Sequence, residues 1–183
     1  MNAVQYQEAL LALRNTARLM MLSNSTIEEF ASQAKPTQIA AVRKILEIEL
    51  QTRNENKKAR LLRQAAFPTV KSLADFDFSG IQYQDGYDTE QLPSLQFMER
   101  AENIVLYGPS GRGKTHLAIA LGTIACNLGH SVRFYTAADL VYRLSQAHRE
   151  GTLDKIHAQI EKADCIILDE FGLQKSRRIF SLW

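Results

Sequence analysis

Eight consecutive residues, Gly108-Pro109-Ser110-Gly111-Arg112-Gly113-Lys114-Thr115, have the types and spacing of a loop that wraps an anion. Glycines let the chain close around phosphate oxygens so that backbone N–H groups point inward, and they tolerate the positive φ such a wrap needs. Lys114 can reach the β- and γ-phosphate oxygens as a compact point charge, and the Thr115 hydroxyl can hold Mg²⁺. A helix starting here aims its positive end at the same phosphates. The eight residues are therefore the candidate contacts of a nucleoside triphosphate such as ATP, with Lys114 also serving catalysis.

Such a loop needs a strand before it and a helix after it. Ile104-Val105-Leu106-Tyr107 is a short apolar run that predicts a fully buried strand. Leu117, Leu121, Ile124 and Leu128 recur at helical spacing, and Gly129 supplies a stop. Further on, Cys165-Ile166-Ile167-Leu168 predicts another strand, ending in Asp169 and Glu170. One acid at a strand end can help hold the metal, the role assigned to Asp169. The next can polarise an attacking water, the role assigned to Glu170. An acid pair at a strand end is commonplace by itself; downstream of a phosphate loop it gains meaning.

The chain has 183 residues, 45% hydrophobic and 23% charged, which fits one α/β domain with a smaller appendage. No apolar stretch of about 20 residues suggests a membrane span, and the N-terminus lacks the pattern of a secretory signal. A cytoplasmic location is expected. Cys126 and Cys165 fall in a predicted helix and a predicted strand, and read as small buried apolar residues.

Charge is unevenly distributed along the chain. Residues 14–63 carry ten Lys/Arg against five acids, whereas residues 72–102 carry Arg100 against seven. The first stretch suits a polyanion; the second would be repelled by one. The first third reads as helical. Ser25-Thr26-Ile27-Glu28 predicts a capping box. After Pro36, a long helix is expected over residues 38–66, apolar early at Ile39, Val42, Leu46 and Leu50. It turns basic late, at Arg53, Lys57, Lys58, Arg60 and Arg63, the candidate DNA contacts. Residues 67–100 read as an acidic linker that docks Phe76, Phe78, Tyr83 and Tyr87 onto the following domain. That domain, from residue 101, continues with a strand at residues 131–135, a helix opened by Thr136-Ala137-Ala138-Asp139, and a short helix around Leu153, Ile156 and Ile160.

Six blocks in this order resemble the IstB-like helper ATPases of insertion sequences, relatives of DnaC-like helicase loaders in the AAA+ group. They are Ala66-Phe67-Pro68, Phe76-Asp77-Phe78, Glu102 to Leu106, Gly113 to Ala120, Thr136 to Leu140, and Leu168-Asp169-Glu170-Phe171-Gly172. The resemblance implies an α/β fold of the P-loop AAA+ type with a parallel sheet, behind a helical N-terminal domain over residues 1–66. It implies an ATPase using ATP and Mg²⁺ that binds double-stranded DNA, assembles as a homo-oligomer and directs a transposase. Lys114 and Thr115 would hold phosphates and Mg²⁺, Asp169 would support the metal, and Glu170 would activate water. His116 is not given a catalytic part; an imidazole there is more often a packing or surface group.

After Gly172 the sequence departs from the family pattern. Residues 173–183 form a basic, apolar-ended tail without strand periodicity, which suggests a premature stop or a shift of reading frame. The partial core is then residues 101–172 and the sheet is incomplete. By resemblance the first strand lies between the fourth and fifth, so it is expected to lose both neighbours and with them stability. The γ-phosphate sensor, the lid arginine and the arginine offered to a neighbouring subunit would lie in the missing part, so hydrolysis is expected to be impaired. The alternatives are a DnaC-like helicase loader, a DNA-binding fragment that does not hydrolyse ATP, and an unfolded remnant.

Overall fold

The computed structural model describes residues 3–74, 76–83 and 87–171. The chain packs as two units that divide within a long helix, between Lys57 and Lys58. The first unit holds α1 (Ala3–Leu19), α2 (Asn24–Gln33) and the start of α3 (Pro36–Ala65). Leu13, Ala17, Ile27 and Ile39 are its buried centre, and Tyr6, Ala9, Phe30, Ala34, Val42 and Leu46 pack around them. The spacing of Leu13 and Ala17 places both on one helical face, so α1 lays a single stripe on its neighbours. Pro36 opens α3, where its missing N–H is harmless, and the Gln38 side chain accepts from the Lys35 amide at 2.7 Å.

One sequence expectation shifts here. The cap of α2 is Ser23, not Ser25: Ser23 Oγ accepts from the Thr26 amide at 3.3 Å and the helix begins at Asn24. Several hydroxyl residues stand in a row, and Ser23 is the one with the extended backbone that a cap requires.

The second unit is built around α5 (Lys114–Asn127). Leu117, Leu121, Ala125 and Cys126 of α5 share a core with Leu61 and Ala65 from the end of α3, with Leu92 and Leu95, and with Val132. Leu92 lies in a short 3₁₀ turn, Leu92–Ser94, that leads into the single-turn helix α4 (Gln96–Glu99). The linker aromatics Phe76, Phe78, Tyr83 and Tyr87 all pack against this core, as expected of a linker that docks its aromatics. Tyr87 donates a hydrogen bond to Glu102, whose carboxylate pushes the phenol above its usual range. Cys126 and Cys165 are free thiols, and burial raises both above the ordinary thiol value.

Two parallel strands lie against α5: β1 (Val132–Thr136) and β2 (Cys165–Asp169), joined through α6 (Ala137–Glu150) and α7 (Leu153–Glu161). Their register, Val132 opposite Cys165 through Thr136 opposite Asp169, is set just before the strands start. There Asp164 Oδ2 accepts from the Ser131 amide at 2.7 Å, and the Asp164 amide donates back to Ser131. Thr136 caps α6 by accepting from the Asp139 amide at 3.2 Å, as the sequence led one to expect. Arg133 reaches across to the Gln64 carbonyl near the end of α3, where a cation meets the negative end of a helix.

Residues 104–107 do not form the buried strand that their apolar run predicted. Ile104 and Leu106 pack on the α5 side, whereas Val105 and Tyr107 are 85% and 96% exposed. The alternation is that of an extended chain with one face covered. Among the described residues no strand pairs with it, so its backbone has no ladder to join. The other side of β2 repeats the pattern, with Ile166 and Leu168 exposed and Cys165 and Ile167 turned to the core. Leu128, placed on the α5 stripe by spacing alone, is also exposed, because the helix has ended at Asn127 and Gly129 (φ +97°) turns the chain away. Residues 172–183, including Gly172 and the tail, lie outside the described residues.

Gly122 explains how tightly α5 seats. A Cβ added there would sit 2.7 Å from Ile167 Cδ1 and 2.8 Å from Phe67 Cζ. Gly122→Ala gains about 1 kcal/mol of helix propensity and loses more to overpacking, so a net destabilisation of about 1 kcal/mol is expected in urea unfolding. Gly80→Ala, with nothing within 4 Å of the added Cβ, should leave the midpoint essentially unchanged.

Candidate phosphate-binding site

The loop from Gly108 to Gly113 carries φ values that ordinary residues avoid: Gly108 at +145°, Gly111 at +78° and Gly113 at +82°. Beside Gly108 and Gly111 there is open space for a Cβ, so glycine is required there by backbone conformation and not by crowding. Pro109, Ser110, Gly111 and Arg112 are exposed, leaving the loop open to an incoming anion. The helix α5 begins directly at Lys114, so its positive end faces the loop.

Lys114 Nζ donates to the carbonyl oxygens of Gly108 at 2.9 Å and Pro109 at 2.8 Å. The ammonium is thus held across the mouth of its own loop by two neutral acceptors. Phosphate oxygens are stronger acceptors for a cation, so an exchange to them would be favourable. Thr115 Oγ1 donates to Asp169 Oδ2 at 2.8 Å. This bond joins the first turn of α5 to the last residue of β2 across 54 positions of sequence. The two oxygen donors assigned to a metal from sequence are therefore brought together.

Glu170 follows directly. It is exposed and adopts the left-handed region, at φ +57°, a conformation costing a non-glycine residue about 1–2 kcal/mol. The chain thereby turns sharply out of β2 at the position assigned to activate water.

A contact that sequence alone did not assign lies on the other side of the loop. A Cβ on Gly113 would meet Phe76 Cε2 at 2.8 Å, so the Phe76 ring presses on the last loop glycine. The same ring lies 5.2 Å from the His116 ring, and His116 Nε2 is 2.7 Å from the Ser72 carbonyl. His116 is a packing group, in line with the reading given to it, but one with a defined polar partner.

The basic residues Arg53, Lys57, Lys58, Arg60 and Arg63 are all exposed on α3. On an ideal helix Arg53, Lys57 and Arg60 fall within about 60° of one another. Arg53 is tied to Glu49 at 2.7 Å; among the described residues none of the other four is in an ion pair.

The family model described as IstB-like ATP binding protein matches residues 13–179, most of the chain. The chain belongs to the IstB-like family. Among its relatives is the IS21 insertion-sequence protein of Pseudomonas aeruginosa, named for ATP binding. It is 42% identical over 130 residues, covering 69% of this chain and 48% of that protein. The corresponding IS5376 protein of Geobacillus stearothermophilus is 34% identical over 151 residues, 82% of this chain and 60% of that one. A more distant likeness, 33% over 67 residues, links the IstB-like chain to the replication initiator DnaA of Campylobacter jejuni. The chain thus spans about half to three fifths of the first two relatives' length. None of its described helices is long and apolar enough to cross a membrane.

The Thr115–Asp169 bond can be weighed directly. Thr115→Val keeps the shape and removes the donor, and should cost about 1 kcal/mol in denaturant unfolding. Asp169→Asn keeps an acceptor for the hydroxyl and should cost less. Equal and negligible effects would show that the bond does not hold α5 to β2.

Proposed function

We propose that this chain is an ATP-dependent helper of DNA transposition, binding Mg-ATP at residues 108–115 with Asp169 and duplex DNA along α3, and acting with a transposase as a homo-oligomer. The observation that carries the nucleotide reading is the pairing of Thr115 Oγ1 with Asp169 Oδ2 at 2.8 Å beside a lysine held over a glycine loop. The hydroxyl and the carboxylate fit a hard divalent cation, which takes oxygen donors and keeps several waters. When bound, Mg²⁺ supplies neutralisation of charge between the β- and γ-phosphates.

The protein's own groups do the rest. The loop amides and the start of α5 receive the phosphate oxygens, and Lys114 leaves the Gly108 and Pro109 carbonyls to join them. Thr115 and Asp169, already side by side, would hold the metal. Glu170 would accept a proton from an attacking water. Its exposure works against hydrolysis, since a base in open water lacks the desolvated setting that sharpens such a reaction. Binding is therefore expected to dominate over turnover in this chain. The relatives' names, which join ATP binding to insertion sequences, support the transposition reading.

Calorimetry with Mg-ATP on the full chain is expected to show saturable binding, weakened at least tenfold by Lys114→Ala with the melting transition preserved. A folded chain that takes up no Mg-ATP contradicts the reading. For DNA, about four phosphate contacts from Lys57, Lys58, Arg60 and Arg63 should make duplex affinity fall roughly 10²-fold between 50 and 200 mM salt. Lys57→Glu combined with Arg60→Glu should abolish binding at the lower salt. Affinity indifferent to salt would remove α3 as the DNA surface.

A further inference from the structure

The connector that follows α3 is not a passive tether. Its residues 72–74 and 76–79 fold into consecutive self-bonded turns. The Ala74 amide donates to Ser72 Oγ, the Phe76 amide to the Leu73 carbonyl, and the Ser79 amide to Asp77 Oδ1. The last of these bonds holds the Asp77 carboxyl below its usual range. Leu73, Phe76 and Phe78 anchor the turns in the core of the second unit, with Phe76 and Phe78 edge to face at 4.9 Å.

These turns meet the phosphate loop at two points that bracket Lys114 and Thr115. Before them, Phe76 occupies the space where any side chain at Gly113 would project. After them, the His116 ring packs against Phe76 at a tilt of 60° and bonds to the Ser72 carbonyl. A 2.7 Å contact between Nε2 and a carbonyl oxygen requires the proton on Nε2, so the imidazole donates. Gly113 is the left-handed residue from which α5 starts, and its φ sets the direction in which Lys114 and Thr115 leave the loop. Holding both flanks fixes that direction before any ligand arrives, and a preorganised site loses less on binding.

We propose that this connector segment is a strap that sets the nucleotide affinity of the loop, with Phe76 and His116 as its positioning residues, and that triphosphate binding in turn tightens the strap. The inference rests on the Mg-ATP reading given above. By reciprocity, if the strap favours the bound form of the loop, the bound nucleotide must stabilise the strap by the same factor.

Hydrogen exchange and Mg-ATP titration of the full chain test both directions. ATP should slow amide exchange across residues 72–79 in the wild-type chain. Phe76→Ala should weaken ATP about tenfold and abolish that slowing, while Phe76→Leu, which keeps apolar bulk over Gly113, recovers most of the affinity. His116→Leu should weaken ATP several-fold, and His116→Gln, which retains a donor of similar reach, should not. Measured below the melting transition, a merely structural role would lower stability and leave these affinities alone. If Phe76→Ala does not fold, the His116 pair decides. Normal uptake by wild type and by His116→Leu alike, with no change in exchange at residues 72–79, overturns the strap alone. No uptake by the folded wild-type chain overturns the nucleotide reading and the strap together.

Discussion

Lys114 and Thr115 can stand beside the end of β2 only because the rest of α5 is clamped in the core of the second unit. Leu117, Leu121, Ala125 and Cys126 are buried along it, and Gly122 lets Phe67 and Ile167 approach its backbone closely. Leu117 and Leu121 contribute about 1.5–3 kcal/mol each on burial, so the helix has little freedom to slide or rotate. Its first turn is therefore a fixed platform. The 2.8 Å bond from Thr115 to Asp169 then needs no search, since both partners are presented by elements packed on one another.

The polar groups around that platform suit the Mg-ATP proposed above. Lys114 is satisfied by two carbonyls of its own loop, so the free site does not hold an unpaired charge. Both acceptors can be surrendered to water at small cost when phosphate oxygens replace them. Membership of the IstB-like family fits this chemistry, and relatives in that family bear names that specify ATP binding. Val105, Tyr107, Ile166 and Leu168 meet solvent, so residues 104–107 and β2 are each covered on one face only, whereas β1, with Phe134 and Tyr135 both buried, is covered on both.

The parts that were legible in the sequence are those encoded by neighbours along the chain. The phosphate loop, the start of α5, the Thr136 cap and the long α3 each depend on residues within a few positions, and each formed as its residues dictated. The acid pair at the end of β2 was also legible, because an apolar run ending in Asp-Glu defines a strand end. The strand at residues 104–107 was not. Its side chains favour extended backbone, but a ladder needs a partner strand, and nothing local encodes one. Leu128 failed for a related reason, since spacing extends a stripe past the point where Gly129 ends the helix. The contact between His116 and Ser72 joins residues 44 positions apart, which no local pattern reveals. Phe76 and Phe78 stood out as linker aromatics and as part of a family block, but the seat of the Phe76 ring on Gly113 is visible only in three dimensions.

The central claim is that backbone amides between Gly108 and Thr115 receive the phosphates. Amide-resolved NMR of the full chain, titrated with Mg²⁺ and a non-hydrolysable ATP analogue, addresses it most directly. The loop amides of Gly108, Gly111 and Gly113 should move downfield together and saturate with one affinity, because each gains an anionic acceptor. Saturable shifts elsewhere that leave those three glycines unmoved would contradict the claim.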